Sequence, residues 1–435
     1  MISGQKKRSG ILFTLGAAFF VLLFSAALFD SCYTSQPSVS RQNFSKYYKP
    51  EEKVLRPGYV LFNVTDSMSR LYFTVNSTDL LYSKNGGSDD YTARVLLSYV
   101  MHPVDLPKMV ADSGHSVMTD VSPPGENKQL ASWVDIDVPA KGKYFLEITF
   151  RDMNKLTISY ELLYLDQSGP DSPNDFLLVS KETDSPLFRN YVDPGESFMI
   201  RCKNSYQGKL FVRRYGNSPY PAHPPYSTYK YQDDAVPDSS WWMSDSAHTS
   251  LSLSRKGWYL FSTGENSTGG IVVARFSPGF PVISDPRDLL YPLRYHTTKE
   301  EYTKMDTASD TKKEVDQFWL DKSGSEERAR EVIRNFYNRV EAADKLFSTE
   351  KEGWKSDRGM IYIIYGPPQN VYRNVSSETW IYGNDFGPGS VSFVFDHVAN
   401  APTDQEFELA RSQDYRVSWT QEVDEWRQGH VTTMH

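Results

Sequence analysis

From Tyr59 onward the chain runs as short apolar stretches broken by turn residues. The first set is Tyr59–Val64, Arg70–Val75, Ala93–Val100, Trp133–Val138, Tyr144–Phe150 and Leu156–Leu165. Between them lie Asn85–Gly86–Gly87, Pro123–Pro124–Gly125 and Lys141–Gly142–Lys143. In Tyr144–Phe150 the residues Tyr144, Leu146, Ile148 and Phe150 fall on one face, the period of a half-buried strand. About seven such strands in roughly 110 residues predict an antiparallel β-sandwich of immunoglobulin-like size over 57–165. Asp166–Asp175 reads as a linker. The pattern then resumes in Phe176–Val179, Phe198–Cys202, Leu210–Arg214, Ser250–Leu253, Trp258–Ser262 and Ile271–Phe276, predicting a second sandwich over 176–277. Its long Tyr215–Ser244 insertion, rich in proline and aromatic residues, is a loop-borne candidate binding surface through Tyr220, Tyr226, Trp241 and Trp242.

After a connector at 278–310 the period changes. Val315, Phe318 and Trp319 form a short helical stripe, and Ser323 with Glu326 reads as a capping box for a longer helix. On that helix Val332, Phe336, Val340, Ala343 and Phe347 recur on one face. Gly353–Gly359 then reads Gly-Trp-Lys-Ser-Asp-Arg-Gly, a polar turn bracketed by glycines. Met360–Tyr365 is a near-continuous apolar run, read as a strand buried on both faces and ended by Gly366 and Pro367. Thr379–Tyr382 and Val391–Phe395 read as two further strands. The predicted fold is mainly β: two tandem immunoglobulin-like antiparallel β-sandwiches, then an α+β domain over 311–400 and a tail over 401–435.

The C-terminal pattern resembles the GWxTD domain family, known from exported proteins of Bacteroidota-type bacteria. The resemblance rests on Phe318–Trp319, the helix Glu331–Phe347, Gly353–Trp354, Asp357–Arg358–Gly359, the run Ile361–Tyr365, Gly366–Pro367–Pro368, and Glu378 with Trp380, covering roughly 310–396. Ser356 stands where the family name has threonine, keeping the hydroxyl and losing the methyl. The resemblance implies an exported, membrane-associated setting and supplies no catalytic residues. Asp357 and Glu378 are the two carboxylates that acid–base chemistry would use, and such chemistry needs them about 5–9.5 Å apart across a cleft. The competing reading is structural: Trp354 fills a helix–sheet junction, Ser356 and Asp357 cap the turn, and Arg358 pairs with Asp357 or Glu378.

Lys6, Lys7 and Arg8 precede an apolar run from Ile11 to Phe29, followed by Asp30, Ser31 and Cys32. This is the pattern of an export signal over 1–31. The segment up to Cys32 resembles a bacterial lipobox, with Phe29 and Asp30 departing from the usual leucine and small residue, so lipidation of Cys32 is the expectation. An uncleaved signal anchor is the alternative, because about 19 apolar residues suffice to span a bilayer. Residues 32–56 read as a tether. No acidic run of the kind found in some surface-export signals of these bacteria follows Cys32, so the outer-membrane anchor that the setting implies is expected on the periplasmic face.

Charge and chemistry narrow the function further. With 47 basic and 55 acidic residues the chain carries −8, so it has no global basic field for nucleic acid. Two cysteines exclude a disulfide scaffold and a cysteine-rich metal site. The sequence holds no HExxH, GxSxG, GxxxxGK or GxGxxG, so no metal or cofactor is expected. Asp66–Ser67–Met68, Asp245–Ser246–Ala247 and Asp306–Thr307–Ala308 resemble an O-glycosylation sequon of the same bacteria, making Ser67, Ser246 and Thr307 candidate acceptors. The expected function is non-enzymatic: an exported lipoprotein binding outer-membrane or periplasmic proteins within a secretion or assembly complex. The alternative is a glycan-binding lipoprotein using the 215–244 insertion.

Overall fold

The computed structural model describes residues 42–430 except 50–51, 53–54, 85–89, 124, 205, 207, 217–219, 230–235, 244–248, 384–388, 399–400, 402 and 404. The export signal, Cys32 and Ser246 therefore lie outside the described residues.

The first sandwich contains β1 (Gly58–Asn63), β2 (Met68–Asn76), β3 (Ser83–Lys84), β4 (Tyr91–Pro103), β5 (Asp112–Val121), β6 (Gln129–Asp137), β7 (Lys143–Asp152) and β8 (Ile158–Asp166). One sheet has the order β1-β2-β6. In the other, β4 pairs with β3, β5 and β7, and β8 lies beyond β7. Every pairing is antiparallel, as in β4 on β7, where Leu97 faces Phe150 and Met101 faces Leu146. Leu71, Phe73, Leu97, Met101, Ile148 and Phe150 fill the space between the sheets with no exposed surface.

The second sandwich is smaller. β9 (Phe176–Ser180) pairs with β10 (Phe198–Cys202), opposite a sheet of order β12-β11-β13-β14. That sheet comprises β11 (Phe211–Tyr215), β12 (Ser239–Trp242), β13 (Gly257–Ser262) and β14 (Ile271–Arg275). Phe198, Ile200, Val212 and Val273 are fully buried between them. The stretch Ser250–Leu253, read as a strand, contributes only a single bridge between Leu251 and Phe198. Phe62 on β1 packs with Leu177, Val179 and Met199, so a minor core joins the two sandwiches.

The C-terminal module is α+β. Helices α1 (Pro286–Leu290), α2 (Lys299–Asp306), α3 (Thr311–Ser323), α4 (Glu326–Phe347) and α5 (Asp357–Tyr365) precede an antiparallel sheet. The sheet orders β15 (Asn370–Arg373), β16 (Ser377–Tyr382), β17 (Val391–His397) and β18 (Phe407–Leu409), and α6 (Tyr415–Arg427) closes the chain.

Five further departures from the sequence reading have physical causes. The stretch 278–310, read as a connector, holds α1 and α2, each started by a side-chain cap from Asp285 or Thr298. Ser325, not Ser323, caps α4 by accepting from the Arg328 N–H, while Ser323 is the last residue of α3 before the left-handed Gly324. Met360–Tyr365 is helical rather than a strand, and all nine residues of α5 are buried. An element apolar on every side has no amphipathic period, so its sequence cannot separate buried helix from buried strand. Finally, residues 42–49, assigned above to the tether, are folded against the C-terminal module: Phe44 is fully buried and Tyr48 nearly so. The tail assigned to 401–435 likewise supplies β18 and α6, with Trp419 and Trp426 buried in the same core.

One buried residue of this module makes stability pH-dependent. His296 packs among Phe318, Trp319 and Phe336, and neither ring nitrogen has a protein partner among the described residues. Burial, followed by the nearby Arg427, lowers its pKa to about 3. The unfolded chain therefore takes up a proton near pH 6.5 that the folded chain refuses. Stability present above pH 6.5 is lost progressively as pH falls towards 3. A series of thermal melts is expected to show this loss, and His296→Phe should flatten it.

Candidate functional site

The Gly353–Gly359 turn is built against the C-terminal end of α4. Gly353–Lys355 form one 3-10 turn, and Ser356 then caps α5. Ser356 Oγ donates to the Gly353 carbonyl at 2.7 Å and accepts from the Gly359 N–H at 3.0 Å. One hydroxyl thus ties both ends of the turn together, and serine suffices for it. The Trp354 N–H donates to Asp344 Oδ1 at 3.0 Å, and the Gly353 N–H to Ser348 Oγ at 2.8 Å. Burial pushes the Asp344 carboxyl well above the usual carboxylate range. The Trp354 ring is buried edge-on to Tyr295.

Backbone approach dictates the two glycines. A Cβ on Gly353 would lie 2.0 Å from the Ala343 carbonyl oxygen, and one on Gly359 would lie 1.9 Å from the Gly353 carbonyl oxygen. The far end of α5 is closed by Arg339, which donates to the Ile363 and Ile364 carbonyls at 3.1 Å each, a cation at the negative end of the helix. Gly366 ends the helix, its carbonyl accepting from Tyr382 Oη at 2.8 Å, and the half-buried Pro367 follows.

Neither motif carboxylate is free. Asp357 receives both terminal nitrogens of Arg411 and the Leu409 N–H, the last at 2.8 Å, which fastens β18 to α5. Arg358 does not pair with Asp357. It lies 3.7 Å from Glu378, donates to the Gln405 carbonyl at 2.7 Å, and stands over the Phe347 and Phe407 rings. Glu378 in turn accepts from Arg373 Nε at 2.8 Å, from Tyr48 Oη at 2.7 Å and from Trp380 Nε1. Burial raises its pKa, but Arg373 and Arg358 outweigh that and hold it below the usual value. Beside this cluster lies a cavity of about 20 Å³, lined by Glu161, Arg358, Arg373, Glu378 and Phe407 among others, with room for roughly one water.

A larger cleft of about 770 Å³ opens between the sandwiches and the C-terminal module, with Tyr59, Phe188, Tyr191 and His397 on its walls. Of its charged wall residues, Arg189 holds Glu196 at 2.6 and 2.7 Å, and Asp171 accepts from Thr263 N and Oγ1. Among the described residues no three His, Cys, Asp or Glu side chains converge as a metal site. Nor is any described helix long and apolar enough to cross a membrane.

A comparison with known families extends beyond this turn. The GWxTD domain family model matches residues 257–428. The chain carries a GWxTD domain. The match begins at the first residue of β13 and runs through α6, wider at both ends than the 311–400 read from periodicity. The GWxTD motif is therefore the N-cap of a fully buried helix at the centre of its domain. No curated protein matches the chain. Among solved structures, red sea bream transglutaminase aligns at 12% identity with a TM-score of 0.18, covering 51% of this chain and 31% of that one. The BSP domain of a biofilm-associated protein aligns at 9% identity with a TM-score of 0.16, covering 54% of each chain. The chain thus spans 31% of one of those structures and 54% of the other, and at such scores neither carries an argument.

The four insertion aromatics do not share one platform. Tyr226 packs against the GWxTD domain core beneath the Arg416 guanidinium, and Tyr220 is exposed. Trp241 and Trp242 are consecutive residues of the edge strand β12, so they point to opposite sides of the sheet. Trp242 Nε1 donates to Glu265 at 2.7 Å. Part of the insertion lies on the motif itself, the Ala222 N–H donating to the Lys355 carbonyl at 2.8 Å. Of the sequon residues, Ser67 sits in the exposed β1–β2 turn and Thr307 just after α2, its hydroxyl donating to the Thr303 carbonyl. Sequence reasoning missed Asp344, Arg373, Arg411 and Tyr48. Asp344, Arg411 and Tyr48 lie 10, 54 and 330 residues from the groups they bind, and no local pattern announces such partners, whereas Arg373 faces Glu378 across the β15–β16 hairpin, five residues away.

Proposed function

We propose that the protein is an exported lipoprotein, anchored at Cys32, that acts as a non-enzymatic binding subunit of a cell-envelope complex at the outer membrane. The observation that carries this reading is the state of the motif's ionisable groups. Asp357 is held by Arg411 and a backbone N–H, and Glu378 by Arg373, Tyr48 and Trp380. A general acid or base needs a lone pair or proton facing a substrate, and here both carboxylates face inward to protein donors. The Asp357 bonds instead fasten α5 to β18 and the segment that follows it, and the Glu378 bonds fasten β15 and β16 to residues 42–49. A multi-module scaffold held in this way offers its outer surfaces to partner proteins. The test is a mild-detergent pull-down of the full-length protein from its native envelope, with partners identified by mass spectrometry. A stoichiometric outer-membrane partner, lost with Cys32→Ser, is the expected result. Recovery of the protein alone from an intact envelope would overturn the reading.

A further inference from the structure

The segment at 43–48 contacts the GWxTD domain in the manner of a bound peptide. It lies outside the 257–428 span of the domain and more than 300 residues away from the strands it touches. Its first contact is with a sheet edge, through one main-chain bond and one side-chain bond. The Phe44 N–H donates to the Val371 carbonyl at 2.9 Å, and Asn43 Oδ1 accepts from the Val371 N–H at 3.0 Å. These bonds fall on β15, which ends the sheet order β15-β16-β17-β18 and so offers an edge for strand addition. Asn43 Nδ2 also donates to Asn370 Oδ1 at 2.6 Å.

Two aromatic anchors follow. Phe44 is fully buried with the Arg373 guanidinium 4.9 Å from its ring centre. Tyr48 packs between Phe347 and Trp380, with ring centres 5.7 and 5.2 Å away. Its hydroxyl donates to Glu378 and accepts from Arg373 at 2.6 Å, and its carbonyl accepts from Tyr362 Oη at 2.6 Å. Ser45–Tyr48 form one 3-10 turn, so the segment is a short turn pinned to the sheet edge by one main-chain bond, and its two aromatic side chains in separate pockets supply the sequence selectivity. The buried Arg373–Glu378 pair gives the second pocket a reason to select tyrosine over phenylalanine. Without the hydroxyl, two buried charged groups each lose a partner.

We propose that residues 43–48 are an intramolecular peptide ligand, and that the GWxTD domain carries a recognition groove for an Asn-Phe-x-x-x-Tyr segment that can also be filled in trans. The groove stands on contacts within the folded chain, so the proposal is independent of the envelope reading above. Were Cys32 acylated, the same grip would seat the GWxTD domain about ten residues from the lipid, a reach of at most about 35 Å.

The experiment folds the full chain first and then cuts it, at a protease site inserted in 50–54. The N-terminal fragment is expected to stay with the body through gel filtration. An excess of a fluorescent peptide spanning 42–49 should displace it with saturable binding. Peptides with Phe44→Ala or Tyr48→Phe should compete at least tenfold more weakly. As a second arm, the uncut chain with Phe44→Ala and Tyr48→Ala should bind the wild-type peptide, whereas the uncut wild type, its groove filled, should not. A fragment that falls away from a body still folded by circular dichroism overturns the proposal. So does equal competition by the wild-type and altered peptides.

Discussion

Gly359→Ala is expected to destabilise the GWxTD domain, although a glycine inside a helix ordinarily gains from this change. Helix propensity favours alanine by about 1 kcal/mol. The new methyl, however, would stand 1.9 Å from the Gly353 carbonyl oxygen. That oxygen cannot swing aside, because it also accepts from Ser356 Oγ and belongs to a turn whose N–H groups are held by Ser348 and Asp344. Overpacking costs about 1–3 kcal/mol and occasionally more, and at so short an approach to a fixed carbonyl the upper end applies, so the clash outweighs the propensity gain. Gly353→Ala has no helical gain to offset its 2.0 Å approach to the Ala343 carbonyl and should be the worse of the two. Differential scanning calorimetry should show the transition of this module falling by roughly 6–12 °C in each variant. Unchanged or raised transitions would show that the motif is looser than its bonds indicate.

Glu378→Gln should be comparably damaging, for an electrostatic reason. The carboxylate is 1% exposed and lies against Arg358, 3% exposed, and Arg373. A glutamine has nearly the same shape but carries no charge and directs an amide N–H towards donors. Arg358 would then lose its counter-charge and Arg373 would keep only the part-exposed Glu161, a loss of about 3–5 kcal/mol. The pH dependence has a definite sign. Because the folded carboxyl titrates below its ordinary value of 4.5, its contribution is present above that pH and is lost as pH falls through the folded value. Urea titrations at pH 7 and pH 4 should therefore show a gap between wild type and Glu378→Gln that narrows at the lower pH. A gap that stays constant would mean the damage is steric.

Much of this architecture was legible wherever a periodic pattern met a single apolar face. Tyr144–Phe150 alternates and is a strand, and Val332–Phe347 follows the helical period and is a helix. The motif was legible as a turn with a structural hydroxyl at Ser356. Legibility failed where burial is complete. Met360–Tyr365 has no polar face to reveal its period, and only the Ser356–Asp357 start and the Gly366 stop signalled a helix. It failed again where partners are remote. Arg411 lies in what reads as a polar tail, and Tyr48 in what reads as a tether, yet these two hold the motif's two carboxylates. Composition classes a segment by its average, and two buried aromatics among lysines and serines do not shift that average.

The GWxTD motif is an internal junction and not an exposed site. Amide hydrogen exchange on the intact protein tests this most directly. The N–H groups of Trp354, Gly359, Met360 and Leu409 are bonded to Asp344, to Ser356 twice, and to Asp357. They should exchange only as slowly as the amides of β16 and β17, through opening of the whole domain. Exchange at the rate of an exposed surface turn, while β16 and β17 stay protected, would contradict it.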